Sequence, residues 1–565
     1  MELDFEALLN EKPYLQDIRK IDLFKYELIY SLRNGRDIPL IIYFDKFFPS
    51  RLPIISINEK LSPIPKIPHV LKSGGVCYID TEGVIWNQNP QITLDFVFER
   101  VERVLLSTPH TIEYHREFSY YFGTQTEKKW AIANYEIQTD LDEVNVWTIK
   151  NRPVAFLGKN KKFNVVIEKF FNAKVSTQNL GKATFISLDK IYSGDVPQYD
   201  KNWSYQEIIK IVKENISSQK LDKLKILIAN KKDYYYLLQL PLLTGNKVVI
   251  GLWYQKTDLS FKQKTNPIID ETVSDKFKVT PIEIYQINDD TLVQRGGGVK
   301  KNPNILLVGC GAVGSDLLFL LVRSGLKNFT LIDKDYLGMA NSYRHFLGMN
   351  KAIKLKPKVQ LLKEEMETRY PNLNVISVEK EVLEVIDEGE INLNEYDLII
   401  VAVGDPNIER KLNELIYKTS TPTIFTWVEA YGIGGHALLV NNGDNGCYEC
   451  LIDNDLQIKS SFASRSDKPY IQNINGCAGS FTPYGSVDSM ETALIASRLI
   501  LRFLNGDIEG NPLVSWKGSA NEFRSHGFKT SKRYDEPSEK LAEPNYDYIE
   551  TQCPICKDKV VVSTS

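Results

Sequence analysis

Cysteines are the residues with the clearest capacity for chemistry in this chain of 565 residues. Four of them form two Cys-x-x-Cys pairs, Cys447 with Cys450 and Cys553 with Cys556. In a large cytosolic chain such pairs indicate metal binding or redox work more than structural disulfides. Four thiolates suit one closed, tetrahedral Zn²⁺, although spacing alone does not join two pairs so far apart. The redox alternative fits poorly, because neither pair opens a thioredoxin-like unit.

Three further cysteines each lie in a separate local pattern. Cys77 lies in the glycine-rich segment LKSGGVCYID, and Cys477 lies in NINGCAGSF. The glycines and asparagine around Cys477 indicate a loop, where a thiolate is a useful nucleophile. The alternative for Cys477 is a small buried side chain that packs as a hydrophobe. Cys310 stands between two glycines and is interpreted as a spacer.

The segment ILLVGCGAVGSDLLFLL predicts a nucleotide site, because it combines a buried strand, G-x-G-x-x-G and a helix. Gly309 permits the tight turn, Gly311 lets the backbone approach a phosphate, and Gly314 permits close helix packing. The start of the helix offers free N–H groups to an anion. Asp333 follows the next predicted strand, where a carboxylate can hold ribose hydroxyls. These features alone also fit a dinucleotide-dependent dehydrogenase.

The residues that follow exclude the dehydrogenase. The segments LIDKDYLGMANSYRHFLG, KLKPKVQ and VAVGDPNIERK resemble the adenylation domain shared by ubiquitin-activating enzymes and ThiF/MoeB adenylyltransferases. The family pattern is Asp-x-Asp, Asn-x-x-Arg, Pro-Lys-Val and Asp-Asn-x-x-x-Arg, and the resemblance covers roughly residues 300–560. Two residues depart from it, since Pro406 replaces a common Asn and His345 a common Gln. The matching residues are Asp333, Asp335, Asn341, Arg344, Pro357, Lys358, Val359, Asp405 and Arg410.

The resemblance implies a carboxylate that attacks the α-phosphate of ATP and releases pyrophosphate. Arg344 and Lys358 would be catalytic, because they would neutralise charge on the phosphates. Taken alone, Lys358 also fits a solvated helix face. Asp405 would hold Mg²⁺, which prefers oxygen ligands, and either carboxylate of Asp-x-Asp would hold the ribose. The predicted cofactor-binding residues are Gly309, Gly311, Gly314, Asp333, Asp335, Asn341, Arg344, Lys358 and Asp405.

The resemblance also assigns roles to cysteines. In the family, two pairs at corresponding places bind one zinc ion that ties the chain end to the core, so Cys447, Cys450, Cys553 and Cys556 are the predicted ligands. A cysteine in the region of Cys477 accepts the acyl group from AMP as a thioester in the ubiquitin-activating branch. In the sulfur-transfer branch, a cysteine there carries persulfide chemistry.

Residues 1–125 resemble a ubiquitin-conjugating enzyme, whose pattern is His-Pro-Asn, a Gly-x-x-Cys segment and Trp-x-Pro. His69 is present without the Asn, which in that family stabilises the oxyanion during lysine attack. The resemblance makes Cys77 a second thioester site. The alternative is a small α+β domain with an incidental buried cysteine. Candidate replacements for the missing donor are a backbone N–H near Gly74 or Gly75, Asn87 and Asn89.

The order of the domains resembles a bacterial fusion found in CBASS antiphage defence. That resemblance implies ATP-dependent activation of a partner's C-terminal carboxylate, a thioester at Cys477, transfer to Cys77 and ligation to a lysine or other amine. The implied partner is a cGAS/DncV-like nucleotidyltransferase, and the implied assembly is a homodimer. Alternatives are conjugation of a bacterial ubiquitin-like modifier, a sulfur-carrier adenylyltransferase for which Cys77 is dispensable, and a scaffold without turnover.

Three domains position these residues in the predicted architecture. Residues 1–125 form an α+β ubiquitin-conjugating-like domain, with strands at 26–32 and 39–44 and a helix at 92–106. Residues 126–298 form an α/β linker domain, with strands at 163–167, 224–229 and 247–253. Residues 299–565 form a doubly wound, Rossmann-like α/β adenylation domain. Within it, the polar segment 520–550 is expected to be loosely held.

Composition excludes several classes. Hydrophobic residues make up 43% and charged residues 25% of the chain, which is typical of globular proteins. The net charge of −3 lacks the basic excess of a nucleic-acid binder. No apolar run predicts a membrane span, and the acidic start MELDFEALLNEK does not resemble a signal peptide. We therefore expect a cytoplasmic protein with neither nucleic acid nor membrane among its partners.

Overall fold

The computed structural model divides the chain into two compact units. One comprises Met1–Asn164 and Lys174–Ile287, and the other comprises Val165–Ala173 and Asn288–Ser565. The predicted three-domain division stays a prediction. Cys477 and the predicted strand at 163–167 lie outside the described residues. The structure describes residues 3–124, 126, 129–134, 140–149, 154–158, 177–197, 201–226, 233–258, 260–287, 293, 296, 301–370, 373–419, 421–441, 444, 446–466, 468–473, 480–543 and 546–557.

The first unit begins with an antiparallel sheet in the order β1-β2-β3-β4. Alternate residues of β2 and β3 are buried, and the apolar face of α2 packs against them. The strands and the helix predicted here are therefore confirmed. The elements are α1 (Phe5–Asn10), β1 (Leu15–Lys20), β2 (Lys25–Ser31), β3 (Asp37–Tyr43), β4 (Ile54–Ile57), α2 (Pro90–Leu105), α3 (Thr111–Arg116) and α4 (Phe118–Gly123).

A closed barrel follows in the same unit, with strand order β10-β11-β5-β7-β6-β8-β9. The strand predicted at 247–253 is confirmed, whereas the one at 224–229 is wrong over its first three residues, which end a helix. Leu221 and Leu224 are one helical turn apart, and Leu224 is buried. The elements are β5 (Trp130–Asn134), β6 (Leu141–Ile149), β7 (Val154–Gly158), β8 (Thr177–Ser187), α5 (Tyr205–Asn215), α6 (Ser218–Ile226), β9 (Asp233–Pro241), β10 (Lys247–Lys256) and β11 (Phe277–Gln286).

The second unit contains a seven-stranded sheet in the order β14-β13-β12-β15-β16-β17-β20. The first five strands are parallel, β17 is antiparallel to β16, and β20 is antiparallel to β17. This order confirms the doubly wound fold and places its switch point between β12 and β15, where such sheets bind ligands. The strands of this sheet are β12 (Asn304–Val308), β13 (Asn328–Ile332), β14 (Asn374–Val378), β15 (Leu398–Val401), β16 (Thr423–Val428), β17 (Gly434–Val440) and β20 (Leu513–Lys517). A separate two-stranded sheet consists of β18 (Gln472–Asn473) and β19 (Ser480–Phe481).

Helices cover both faces of this sheet. Ile305 and Leu307 of β12 pack against α7, α9 and α12, whereas Leu306 and Val308 pack with α10 and α11. The unbroken apolar strand reflects burial on both faces. The helices are α7 (Ala312–Arg323), α8 (Met349–Ala352), α9 (Lys358–Arg369), α10 (Val382–Asp387), α11 (Pro406–Ile416), α12 (Ser486–Asn505), α13 (Ala520–Ser525) and α14 (Ser538–Ala542). Short 3-10 helices occupy Glu271–Lys276, Met339–Asn341, Leu393–Glu395, Ala430–Gly432, Tyr448–Leu451 and Lys532–Asp535.

The expectation of a loosely held segment at 520–550 is wrong over its described part. Phe523, Phe528 and Leu541 are buried in a small apolar cluster with Phe462. A few apolar side chains are enough to anchor a segment whose overall composition is polar. Among the helices that the structure describes, we find none with the length and apolar character needed to cross a membrane.

Candidate active site

The glycine-rich turn lies at the end of β12 and leads into α7. Gly309 has φ of +88°, and a Cβ atom there would lie 2.5 Å from the carbonyl oxygen of Ala402. A Cβ atom on Gly314 would lie 2.0 Å from the carbonyl oxygen of Gly309. Gly311, at the start of α7, has no neighbour within 4 Å of its Cβ position. Two glycines are therefore required by packing, and Gly311 leaves open space beside the free N–H groups of the helix.

An acidic pair and a lysine surround this turn. Asp333 accepts hydrogen bonds from the backbone N–H groups of Cys310 (2.7 Å) and Asp335 (2.8 Å). Lys358 Nζ lies 2.8 Å from Asp335 Oδ2 and 3.8 Å from Asp333 Oδ1. The Lys358 side chain is 8% exposed, so a solvated helix face is excluded. The Asp335 side chain, 58% exposed, leaves a carboxylate available to a ligand.

His345 forms a hydrogen bond with the glycine-rich turn. Its Nδ1 accepts a hydrogen bond from the Leu347 N–H (3.2 Å), so its Nε2 carries the proton and donates to the Cys310 carbonyl (2.9 Å). Burial lowers the pKa of His345 to about 4. A neutral imidazole therefore donates as the amide of a glutamine would, which accounts for His at a position where the resembled family often has Gln.

Arg344 lies half-buried beside Thr482 and Tyr484. Its guanidinium donates to Asn341 Oδ1 (3.3 Å) and to the Thr482 carbonyl (3.4 Å). The same group stacks over the Tyr484 ring, 4.7 Å from the centroid. Asn341 and Arg344 are thus brought together as the sequence pattern suggested, while their roles toward ATP stay predictions.

Asp405 follows β15 at the carboxyl edge of the sheet and begins α11. Its Oδ1 accepts hydrogen bonds from the N–H groups of Asn407 (2.9 Å) and Ile408 (3.4 Å). The side chain is exposed, and carboxylate oxygens at this edge fit the chemistry of a Mg²⁺ ligand. Arg410 forms a bidentate ion pair with Glu449, at 2.7 and 2.9 Å, and not with Asp405 in the described contacts.

Glu409 is a buried acid that the sequence analysis missed. It is 1% exposed and accepts hydrogen bonds from the Gly404 N–H (3.0 Å) and the Tyr448 hydroxyl (2.6 Å). Burial raises its pKa to about 7. Its partner Tyr448 is distant in sequence, so no local pattern distinguishes Glu409 from a solvated helix acid.

The four cysteines of the two pairs converge. Their Sγ atoms lie within 4.8 Å of one another, with Cys447 to Cys553 at 3.7 Å and Cys450 to Cys556 at 3.4 Å. Tetrahedral Zn–S bonds of about 2.3 Å imply S–S separations of about 3.8 Å. All four residues are buried, and the cluster is compatible with a structural zinc site.

Cys77 lies exposed in the first unit. Its backbone N–H donates to the carbonyl of His69 (2.7 Å), and His69 Nδ1 lies 3.6 Å from Glu117 Oε1. Burial, and secondly the charge of Glu117, raise the pKa of the Cys77 thiol. Glu117 is a second acid that the sequence analysis missed, since it comes from the region between α3 and α4.

The structure narrows the replacements predicted for the missing Asn. The Gly74 N–H donates to the Leu71 carbonyl (2.8 Å) and is not available to an oxyanion. Asn89 Oδ1 caps α2 by accepting from the Gln91 N–H (3.0 Å). Asn87 Oδ1 accepts from the Asn89 N–H (2.7 Å), which holds both asparagines in a turn before the helix.

This geometry defines a class of protein. The doubly wound sheet, the glycine-rich turn at its switch point and the four-cysteine cluster describe an E1-like adenylation domain. Residues 298–525 match the ThiF family.

The chain is also similar in sequence to named proteins. The chain is 30% identical over 278 residues to the ATP-dependent ubiquitin transferase-like protein Cap2 of Pseudomonas aeruginosa, a match that covers 48% of each chain. It is 23% identical over 501 residues to the Cap2 of Vibrio cholerae, covering 79% of this chain and 82% of that protein. The match thus spans about half the length of the first relative. Escherichia coli MccB shares 18% identity with this chain, covering 47% of this chain and 69% of MccB, at a TM-score of 0.33.

Proposed function

We propose that the chain activates the C-terminal carboxylate of a partner protein with ATP, passes it through thioesters at Cys477 and Cys77, and joins it to an amine. The observation that carries the proposal is the buried Lys358 beside Asp333 and Asp335 at the switch point. An anion at the N-terminus of α7 would find both a lysine and free N–H groups there. The Cap2 names of the relatives support the same chemistry.

The adenylation step uses residues around the turn. A carboxylate oxygen attacks the α-phosphorus of ATP, a new P–O bond forms, and the bond to the β-phosphate bridge breaks with release of pyrophosphate. Lys358 and Arg344 neutralise phosphate charge that develops in this step. Asp335 holds the ribose hydroxyls, while Asp333 is occupied by two backbone N–H groups. Asp405 would hold Mg²⁺, which neutralises phosphate charge when bound.

The transfer steps use the two thiols. The Cys477 thiolate attacks the acyl carbonyl and AMP leaves, after which the Cys77 thiolate attacks the new thioester and the Cys477 thiolate leaves. An amine then attacks the Cys77 thioester, an amide bond forms, the C–S bond breaks with the Cys77 thiolate as leaving group, and the amine loses a proton. His69 and Glu117 are candidates to accept the proton of the thiol or of the amine, because His69 Nδ1 lies 3.6 Å from Glu117 Oε1 and the His69 carbonyl accepts a hydrogen bond from the Cys77 N–H. Fusion in one chain raises the effective concentration of the two cysteines around each other.

The proposed partner is a cGAS/DncV-like nucleotidyltransferase in antiphage defence, and the proposed state is a cytoplasmic homodimer with one Zn²⁺ per chain. A bacterial ubiquitin-like modifier would need the same steps. A sulfur carrier of the ThiF/MoeB type would need only adenylation and Cys477.

A non-reducing gel tests this proposal. The chain is incubated with ATP, Mg²⁺ and candidate partners made from neighbouring genes, and wild type is compared with Cys77→Ala and Cys477→Ala. We expect an ATP-dependent, thiol-sensitive adduct that persists in Cys77→Ala and disappears in Cys477→Ala. Adenylation without any adduct, unaffected by Cys77→Ala, would instead support the sulfur-carrier function.

A further inference from the structure

A chain of hydrogen bonds connects the four-cysteine cluster to the loop that carries Asp405. Tyr448 lies between Cys447 and Cys450, is fully buried, and packs its ring against Phe425 and Trp427. Its hydroxyl donates to Glu409 Oε2 at 2.6 Å. The other oxygen of Glu409 accepts the N–H of Gly404, next to Asp405, at 3.0 Å.

Two further residues of α11, Asn413 and Arg410, hold the cysteine loop without contacting Gly404 in the described hydrogen bonds. Asn413 Oδ1 accepts the Tyr448 N–H (3.2 Å), and Asn413 Nδ2 lies 3.5 Å from Cys447 Sγ. Arg410 forms its bidentate pair with Glu449. Helix α11 thus contacts the cysteine loop through Glu409, Arg410 and Asn413. Among these described contacts, the one through Glu409 continues to Gly404, next to Asp405.

Gly404 needs such a restraint. Its φ is +71°, and open space surrounds its Cβ position, so side-chain packing does not hold its conformation. Because glycine has a wide range of accessible backbone conformations, an external hydrogen bond is what orients the peptide before Asp405. Glu409 provides it from a site where both carboxylate oxygens are occupied and water has almost no access.

We propose that Glu409 is a positioning residue through which the four-cysteine cluster orients the Gly404–Asp405 loop for ATP and Mg²⁺. The inference rests on the proposed role of Asp405 in holding Mg²⁺. In this proposal the cysteine cluster both anchors the C-terminal segment and orients the loop that carries Asp405. Glu409 and Tyr448 are both buried, so the proposed effect on the loop passes through the Gly404 N–H.

The test compares four variants of the full chain. Glu409→Leu removes both hydrogen bonds, and Tyr448→Phe removes one while keeping the ring. Glu409→Gln preserves an acceptor for Gly404, and Glu449→Gln is the matched control that weakens a neighbouring contact. For each we would measure zinc content, the Kd for ATP with Mg²⁺ by calorimetry, and hydrogen exchange of the peptide around Gly404.

We expect full zinc content in every variant. The Kd for ATP should rise about threefold in Tyr448→Phe, because one lost buried hydrogen bond changes an equilibrium constant by about that factor. It should rise about tenfold in Glu409→Leu, which loses two hydrogen bonds. It should stay within about twofold in Glu409→Gln and Glu449→Gln. Hydrogen exchange of the peptide around Gly404 should accelerate only in Glu409→Leu and Tyr448→Phe.

Wild-type Kd and wild-type exchange in a folded, zinc-loaded Tyr448→Phe would overturn the inference, and this variant decides if Glu409→Leu does not fold. An equal loss of affinity in Glu449→Gln would also overturn it, because general loosening of α11 would then suffice. If wild type binds no ATP, the proposed function fails, while the exchange at Gly404 still tests the hydrogen-bond chain by itself.

Discussion

Replacing His345 with glutamine should make the C-terminal unit less sensitive to acid. In the folded protein the imidazole is buried and neutral, with Nε2 donating to the Cys310 carbonyl of the glycine-rich turn. A glutamine amide can donate to the same carbonyl and does not titrate. The variant therefore removes the proton equilibrium and keeps the support of the turn.

The structure sets the size of the effect. An ordinary histidine has a pKa near 6.5, and burial lowers that of His345 to about 4. Below pH 6.5 the unfolded chain binds a proton that the folded chain refuses, so stability present above this pH is lost as pH falls toward 4. The total is about 3 kcal/mol, of which about 2 kcal/mol is lost between pH 7 and pH 5.

Two buried carboxylic acids titrate in the same pH range, and their contribution to stability changes with pH in the opposite direction. Burial raises the pKa of Glu409 and of Asp316 to about 7. Their contribution to stability is present below the unfolded pKa and is lost as pH rises toward 7. Both acids are present in wild type and variant, so the difference between the two proteins isolates His345 if distant sites act independently.

Hydrogen exchange of peptides from β12 and β15, measured in a urea series at pH 7 and pH 5, gives the free energy of opening in this unit. We expect wild type to lose about 2 kcal/mol more than His345→Gln on acidification. Equal losses in the two proteins would refute the reasoning, because His345 would then accept its proton in the folded state. A large destabilisation of the variant at pH 7 would show that the amide fails to support the turn.

Three further outcomes follow from the site. Lys358→Met should lower ATP–pyrophosphate exchange at least about 100-fold with little change in fold, measured with a saturating partner. Asp405→Asn keeps the helix cap, whereas Asp405→Ala also loses about 1 kcal/mol of stability; both should lose exchange, and normal exchange in Asp405→Asn would contradict the metal role. Zinc removal should accelerate hydrogen exchange in residues 446–466 and 546–557 but not in β2 and β3, and unchanged exchange after proven removal would contradict a structural zinc.

Much of the adenylation fold could be predicted because its signals are local. Strands β12 and β15 contain continuous apolar runs at Ile305–Val308 and Leu398–Val401, and Gly309 and Gly314 leave no room for a side chain. The same local logic predicted β2, β3 and α2, whose apolar residues recur with the strand and helix periods. Closure of the barrel was not predicted, since the parallel pairs of β5 with β11 and of β8 with β9 join strands that are far apart in the sequence.

The residues that sequence analysis missed share one property, which is a partner far away in the chain. Glu117 matters because the fold brings it near His69 and Cys77, and Glu409 matters because Tyr448 reaches it from the cysteine loop. A glutamate in a short amphipathic helix is ordinarily solvated, so its type and spacing predict nothing. Burial is what gives such an acid a role, because an ionisable group without water must be held by specific donors. The roles proposed for Glu117 and Glu409 therefore rest on contacts that form only in the folded chain.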